Sequence, residues 1–161
     1  MPGLLGAKLR ALRLAQLPPL TQSDLAEALG VSRYTVNNVE TGRRLFSIPL
    51  LARTATMFGV TIDWLTNNTI LPEQLPSLDP IDLTRTRPIL HTFAEKLRYQ
   101  RERTGSTQVE LAQCLALRSQ SHISELESGE DAPSLSLVLD ISRYFSVSPD
   151  YFIFDDLPVA A

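Results

Sequence analysis

The sequence predicts an all-α protein of two tandem five-helix domains joined by a proline-rich linker. Three observations carry that expectation. No stretch sustains the apolar–polar alternation of a strand, whereas apolar residues recur at three- and four-residue intervals. Capping residues stand where the apolar runs begin. Four blocks of sequence also occur twice, in the same order. "KLRALR" at Lys8–Arg13 returns as "KLRYQR" at Lys96–Arg101, and "TQSDLAEALGV" from Thr21 as "TQVELAQCLAL" from Thr107. "VNNVETG" from Val36 returns as "ISELESG" from Ile123, and "FGVTIDWL" from Phe58 as "FSVSPDYF" from Phe145. Chance does not keep four blocks in register, so these are two copies of one unit. The first copy carries two extra residues near Pro18-Pro19, the second one extra near Arg118.

In the first copy the pattern predicts helices near 4–17, 22–29, 33–41, 48–58 and 62–66. Thr21 is placed to cap the second, with Asp24 three residues on as in a capping box. Gly30 suits a left-handed stop, and Ser32 caps the third helix. Ser47 is expected to cap the fourth, with Pro49 in its first turn where a missing N–H does no harm. Thr61 caps the fifth. Thr107, Ser119, Ser134 and Ser148 repeat the series in the second copy. Between the copies, Pro72, Pro76, Pro80 and Pro88 disfavour helix and predict an extended connector. Its apolar residues, Ile70, Leu71, Leu75, Leu78, Ile81 and Leu83, give it the means to dock on a domain. The expected organisation is a first domain over 1–69, a linker over 70–88 and a second domain over 89–161.

Composition narrows the class. No apolar run reaches the roughly 20 residues of a membrane span, and charges at Lys8, Arg10 and Arg13 break the apolar N-terminus, against a signal peptide. The lone cysteine, Cys114, lies in a helical pattern and reads as a small buried hydrophobe in a reduced, cytoplasmic setting. The net charge of −3 hides an asymmetry. Residues 1–70 carry seven basic and four acidic side chains; residues 91–161 carry six and eleven.

The stretch "TQSDLAEALGVSRYTVNNVETGRR", Thr21 to Arg44, is where charge and pattern meet. Leu25, Ala26, Leu29, Val36 and Val39 pack two short helices across a three-residue turn, a helix-turn-helix. Its second helix has the width of a DNA major groove. Arg33, Tyr34, Asn37 and Asn38 are then expected to face outward, where arginine can read guanine and asparagine adenine. Gln22, at an exposed helix N-terminus, is suited to a phosphate, and Arg43 and Arg44 to the sugar-phosphate backbone.

Both copies resemble the helix-turn-helix domain of the Xre and lambda-repressor-like transcriptional regulators. The first does so from about Lys8 to Leu65, with the pattern TQ..LA..LGVS...V..VE.G intact. The resemblance implies a five-helix fold with its third helix in the major groove, acting as a two-fold dimer on a palindromic double-stranded DNA operator. By position it implies base reading by Arg33, Tyr34 and Asn38, with Asn37 beside them. Thr41 and Arg43 take backbone contacts, and Gln22 holds a phosphate while bracing the third helix. In the second copy, about Glu95 to Phe152, Gln108 keeps the phosphate position, and Gln120, Ser121 and Glu125 fall on the base-reading ones. Glu130 and Asp131 replace Arg43 and Arg44, turning attraction for phosphate into repulsion. Gln108, Gln120 and Ser121 are therefore the candidate DNA contacts of a degenerate domain.

The blander readings are a solvated face for Arg33, Asn37 and Asn38, and core packing for Met57, Phe58 and Trp64. His91 and His122 lack partners at metal-ligand spacing, so no metal, cofactor or catalytic residue is expected. The expectation is a regulator, a repressor by type, in the bacterial nucleoid. The rival is an adaptor or antitoxin-type regulator whose acidic second domain binds a protein. Homodimerisation is expected through that domain, with the apolar tail Tyr151–Val159 as the candidate patch.

Overall fold

Seven of the ten described helices begin where the sequence supplies a side-chain cap. The computed structural model describes residues 4–78 and 80–160; Met1–Gly3, Asp79 and Ala161, at the outer edges of the expected domains and within the linker, lie outside it. Among the described residues there are ten α-helices and no strand, only an isolated antiparallel bridge between Ile89 and Phe154. None of these helices is long and apolar enough to cross a membrane. The chain divides into two compact units, Met1–Thr86 and Arg87–Ala161.

The first unit holds α1 (Leu5–Leu14), α2 (Gln22–Leu29), α3 (Arg33–Glu40), α4 (Ile48–Phe58) and α5 (Ile62–Thr66). Thr21 and Asp24 form a complete capping box, and Gly30 takes the left-handed conformation at φ 68° that ends α2. Ser32 and Thr61 accept the N–H of Thr35 and Trp64. Ser47 departs from expectation: it has cap geometry but makes no side-chain hydrogen bond. Pro49 at the second helical position removes one of the two N–H groups a cap can take, and Ser47 leaves the other, that of Leu50, unbonded by its side chain. Helix α1 stops at Leu14 rather than near residue 17, because Pro18 and Pro19 cannot continue it. Leu9, Leu12, Leu25, Val36, Leu51, Phe58, Ile62 and Leu65 form the core. Beyond α5 the linker lies back on its own unit: the Trp64 indole N–H donates to the Gln74 carbonyl at 3.1 Å.

The second unit repeats this with α6 (Phe93–Arg103), α7 (Gln108–Cys114), α8 (Gln120–Ser128), α9 (Leu135–Phe145) and α10 (Pro149–Ile153). Thr107 and Glu110 make a second complete capping box, and Ser119, Ser134 and Ser148 all cap. Two expectations are corrected here. Cys114 is exposed. Leu111 and Ala112 fill the inward face of the short α7, and a residue two places past Ala112 points away from it. The tail Tyr151–Val159 is no free apolar patch: Tyr151, Phe152, Ile153 and Phe154 are all core. Phe152 packs against Phe93 and Phe145, with ring centroids 6.1 and 6.5 Å away, and the backbone of Leu90 donates to Ile153 at 2.9 Å.

One feature of each unit ran against the charge count. Lys8 and Lys96 are completely buried. The Lys8 ammonium donates to the carbonyls of Trp64 and Asn67 at 2.5 and 2.6 Å, and Lys96 to that of Phe154 at 2.7 Å. Each thus satisfies carbonyls at the negative end of its unit's last helix, and each sits over an aromatic ring, Trp64 or Tyr151. Burial holds both ammonium groups below the ordinary lysine pKa.

Packing is tightest where α1 crosses the end of α3. A Cβ on Gly6 would stand 2.2 Å from the Val39 carbonyl oxygen and 2.8 Å from that of Glu40. Gly6→Ala should therefore push α1 off α3 and cost about 1–3 kcal/mol or more by urea denaturation. Ala94→Gly, the reverse change in the second copy, should cost only about 0.5–1 kcal/mol. Equal effects would remove the close crossing as the cause.

The capping boxes give a pH dependence. Hydrogen bonds from the Thr21 side chain and backbone hold Asp24 below its ordinary pKa; those of the Thr107 backbone and side chain do the same for Glu110. A depressed carboxylate contributes stability above its unfolded pKa and loses it as pH falls through the folded one. Melting midpoints should fall on acidification below about pH 4. The Asp24→Asn/Glu110→Gln variant should lose less over the same range.

Candidate nucleic-acid interface

The second and third helices are held by a network built on one carboxylate. The Arg13 guanidinium grips Glu40 with two bonds, Nε to Oε1 at 2.7 Å and Nη2 to Oε2 at 3.1 Å, and its Nη1 donates to the Leu20 carbonyl at 2.7 Å. The Gln22 amide donates to Glu40 Oε2 at 2.9 Å. One buried pair thereby ties α1, the entry to α2 and the end of α3 together. The second copy repeats it atom for atom. Arg101 donates to Glu127 at 2.6 and 2.9 Å, Gln108 to Glu127 at 2.9 Å, and Arg101 Nη1 to the Ser106 carbonyl at 3.1 Å. The hydrogen bond to Glu127 raises the Arg101 pKa above its ordinary value. Sequence reasoning counted Arg13 only as a charge that breaks the apolar N-terminus and Glu40 only as an acid, with no role for the pair. The signal was there: arginine, glutamine and glutamate each recur at matching places in both copies.

On this frame the sequence-predicted residues fall into three groups. Arg33 and Tyr34 are exposed on the first turn of α3, Tyr34 at 72%. Arg43 and Arg44 are exposed just beyond its last turn. Asn37 is half-buried, as is Gln22, which keeps one amide hydrogen beyond the one given to Glu40. The Thr41 hydroxyl donates to the Asn37 carbonyl at 2.7 Å, so a phosphate would have to take it from the helix.

Asn38 is the correction. It was expected to face outward, and it is 8% exposed. It lies beside the buried Val39 near the end of a short helix, and the chain folds back on it. Gly42, at φ 72°, turns the backbone so that the N–H groups of Arg43 and Arg44 both bond the Asn38 carbonyl, at 2.8 and 3.1 Å. The two arginines thereby stand next to Asn38. In the second copy the same backbone bonds run from Glu130 and Asp131 to Glu125, at 2.9 and 3.3 Å, but the longer Glu125 side chain stays exposed.

The second copy brings its candidates together too. The Gln120 amide donates to the Gln108 side-chain carbonyl at 3.3 Å, continuing the chain Arg101–Glu127–Gln108 onto the first turn of α8. Ser121 shares a hydrogen bond with the Ser119 hydroxyl. The surface around them is acidic: Glu125, Glu130 and Asp131 are exposed where the first copy has Asn38, Arg43 and Arg44. The extra residue lengthens the turn before α8, and Ala116 takes the left-handed position that Gly30 holds in the first copy, at φ 52°. Among the described residues no group of three His, Cys, Asp or Glu side chains is placed to hold a metal ion.

The network makes a sharp stability prediction. Glu40→Ala leaves a buried guanidinium without its counter-charge and should cost about 3–5 kcal/mol by urea denaturation. Arg13→Met/Glu40→Met removes both charges and should recover most of that loss. A cost for Glu40→Ala no greater than that of a surface change would show that the pair does not hold the frame.

Comparison with known families agrees with this geometry. A helix-turn-helix domain model matches residues 4–65, and a second helix-turn-helix model matches residues 97–152. No curated protein and no solved structure matches the chain. Two matched domains support a DNA-binding regulator. With one such model matched in each half and the same Arg–Glu–Gln network built in both, the chain belongs to the helix-turn-helix family as a tandem, Xre-like regulator.

Proposed function

We propose that this protein is a sequence-specific double-stranded DNA-binding repressor whose first unit reads the major groove with α3. The carrying observation is the pairing of exposed Arg33 and Tyr34 at the start of α3 with exposed Arg43 and Arg44 past its end. A base-reading turn is thus flanked by cations for phosphate. Asn37 lies beside the reading turn, and Gln22 and Thr41 border the backbone-facing edge. Asn38 is left out of the reading set; its carbonyl positions the two arginines instead. The second unit serves association, two chains meeting a palindrome with half-sites about 34 Å apart. With Tyr151–Phe154 in the core, that association uses some other surface.

A second reading has its own support. Exposed Glu125, Glu130 and Asp131 favour a protein ligand over DNA for the second unit, as in an adaptor or antitoxin-type regulator. A phosphate backbone meets repulsion there.

Binding isotherms on a selected operator test both. Arg43→Ala or Arg44→Ala should weaken binding to every sequence and flatten the salt dependence by about one unit of slope per lost phosphate contact. Arg33→Ala should relax preference at one or two base pairs, at about 1–3 kcal/mol on the best site. Isotherms unmoved by all three would remove the first unit as the reader. Glu130→Arg/Asp131→Arg separates the roles: a steeper salt slope places the second unit on DNA, an unchanged slope leaves it to a protein.

A further inference from the structure

Within the first unit, the end of α1, the outer face of α2 and the linker residues Leu78, Pro80, Ile81 and Leu83 enclose an open cavity of about 800 Å³. That volume is within the range of small-molecule sites. Its walls are apolar, with Leu20 and Ile81 half-buried and Leu17 96% exposed. Its polar side chains are few: Asp24 and Glu27, one turn apart on α2, Arg53, and Gln16, whose amide donates to the Leu12 carbonyl at 3.1 Å.

Three features make the space negative. Asp24 and Glu27 supply two carboxylates against one guanidinium. That guanidinium is engaged, with Nε and Nη2 both donating to the Ala28 carbonyl at 3.2 and 3.0 Å. Helix α1 also ends here, with Ala15 and Gln16 just past its last residue in the lining, which brings the partial negative charge of its carboxyl end to the wall; α2 lies along the cavity and presents neither end to it. An apolar body therefore finds walls, an anion finds repulsion, and a cation finds the rim.

We infer that this cavity binds a small organic cation, an ammonium group carried on an apolar body, with Glu27 as its counter-charge. The site lies apart from Arg33, Tyr34, Arg43 and Arg44, and stands whether or not the first unit reads DNA. Glu27 is the group to test, because Asp24 is occupied in capping α2.

Titration calorimetry on the full chain with three probes of one shape provides the test: 1-adamantylammonium, 1-adamantanol and adamantane-1-carboxylate. The ammonium should bind about tenfold or more tighter than the alcohol, a charge pair's worth, and the carboxylate most weakly. Glu27→Gln should bring the ammonium close to the alcohol and leave the alcohol unchanged. Ile81→Arg, which fills the cavity and places a cation in it, should abolish binding, with thermal melts checking that both variants fold. The inference is overturned by no saturable ammonium binding, by an alcohol or carboxylate that binds as tightly, or by a folded Glu27→Gln or Ile81→Arg that binds as the parent does.

Discussion

A buried carboxylate gripped by an arginine organises each half of this molecule. Glu40 in the first copy and Glu127 in the second sit at the end of the third helix of their unit, and each is reached from two other elements. Hydrophobic packing of Val36 and Val39 on Leu25 and Leu29 is non-directional and fixes only that the helices touch. The forked bonds of a guanidinium are directional, and they fix the angle at which the helix leaves the core. A recognition helix needs that angle, because a reading turn tilted by a few degrees misses base edges. In the proposed function, Arg13 and Glu40 therefore act on what Arg33 and Tyr34 can reach without touching a base themselves.

The buried lysines follow a related logic at the far end of each unit. A short last helix has carbonyls that no further turn will satisfy, and α5 and α10 are only five residues each. Lys8 and Lys96 reach across the core to bond them. Desolvating an ammonium is costly, but the carbonyl bonds, the helix dipole and the ring beneath offset it. The positive surplus counted in the first half is thus partly internal. The basic residues left exposed are Arg10, Arg33, Arg43, Arg44 and Arg53, and three of these five flank α3.

Much of the fold was legible because local signals and the repeat agreed. Thr21 with Asp24 and Thr107 with Glu110 announce capping boxes in sequence and form them in structure. What was not legible depended on chain return or on the size of a short helix. Asn38 has the chemistry of a base reader, and its burial beside the point where the chain turns back at Gly42 is a property of the folded chain rather than of the local pattern. Cys114 has the composition of a core residue, yet two places past the buried Ala112 it points off the inward face of α7. The tail Tyr151–Phe154 reads as sticky surface because its partners, Phe93 and the strand-like Ile89–Leu90, lie some sixty residues away. In the candidate interface, Arg33, Tyr34, Arg43 and Arg44 are exposed as sequence reasoning expected, while the network that aims them is visible only across copies.

Gly6 also makes the two copies unequal as parts. Its place in the second copy is held by Ala94, and a methyl group at Gly6 would run into the carbonyls of Val39 and Glu40. A first helix built like α6 could therefore not take the seat of α1 without moving off α3. Two repeats that share a sequence pattern and a hydrogen-bond network are thus still not interchangeable, because a hydrogen atom in place of a side chain fits α1 to its own partner.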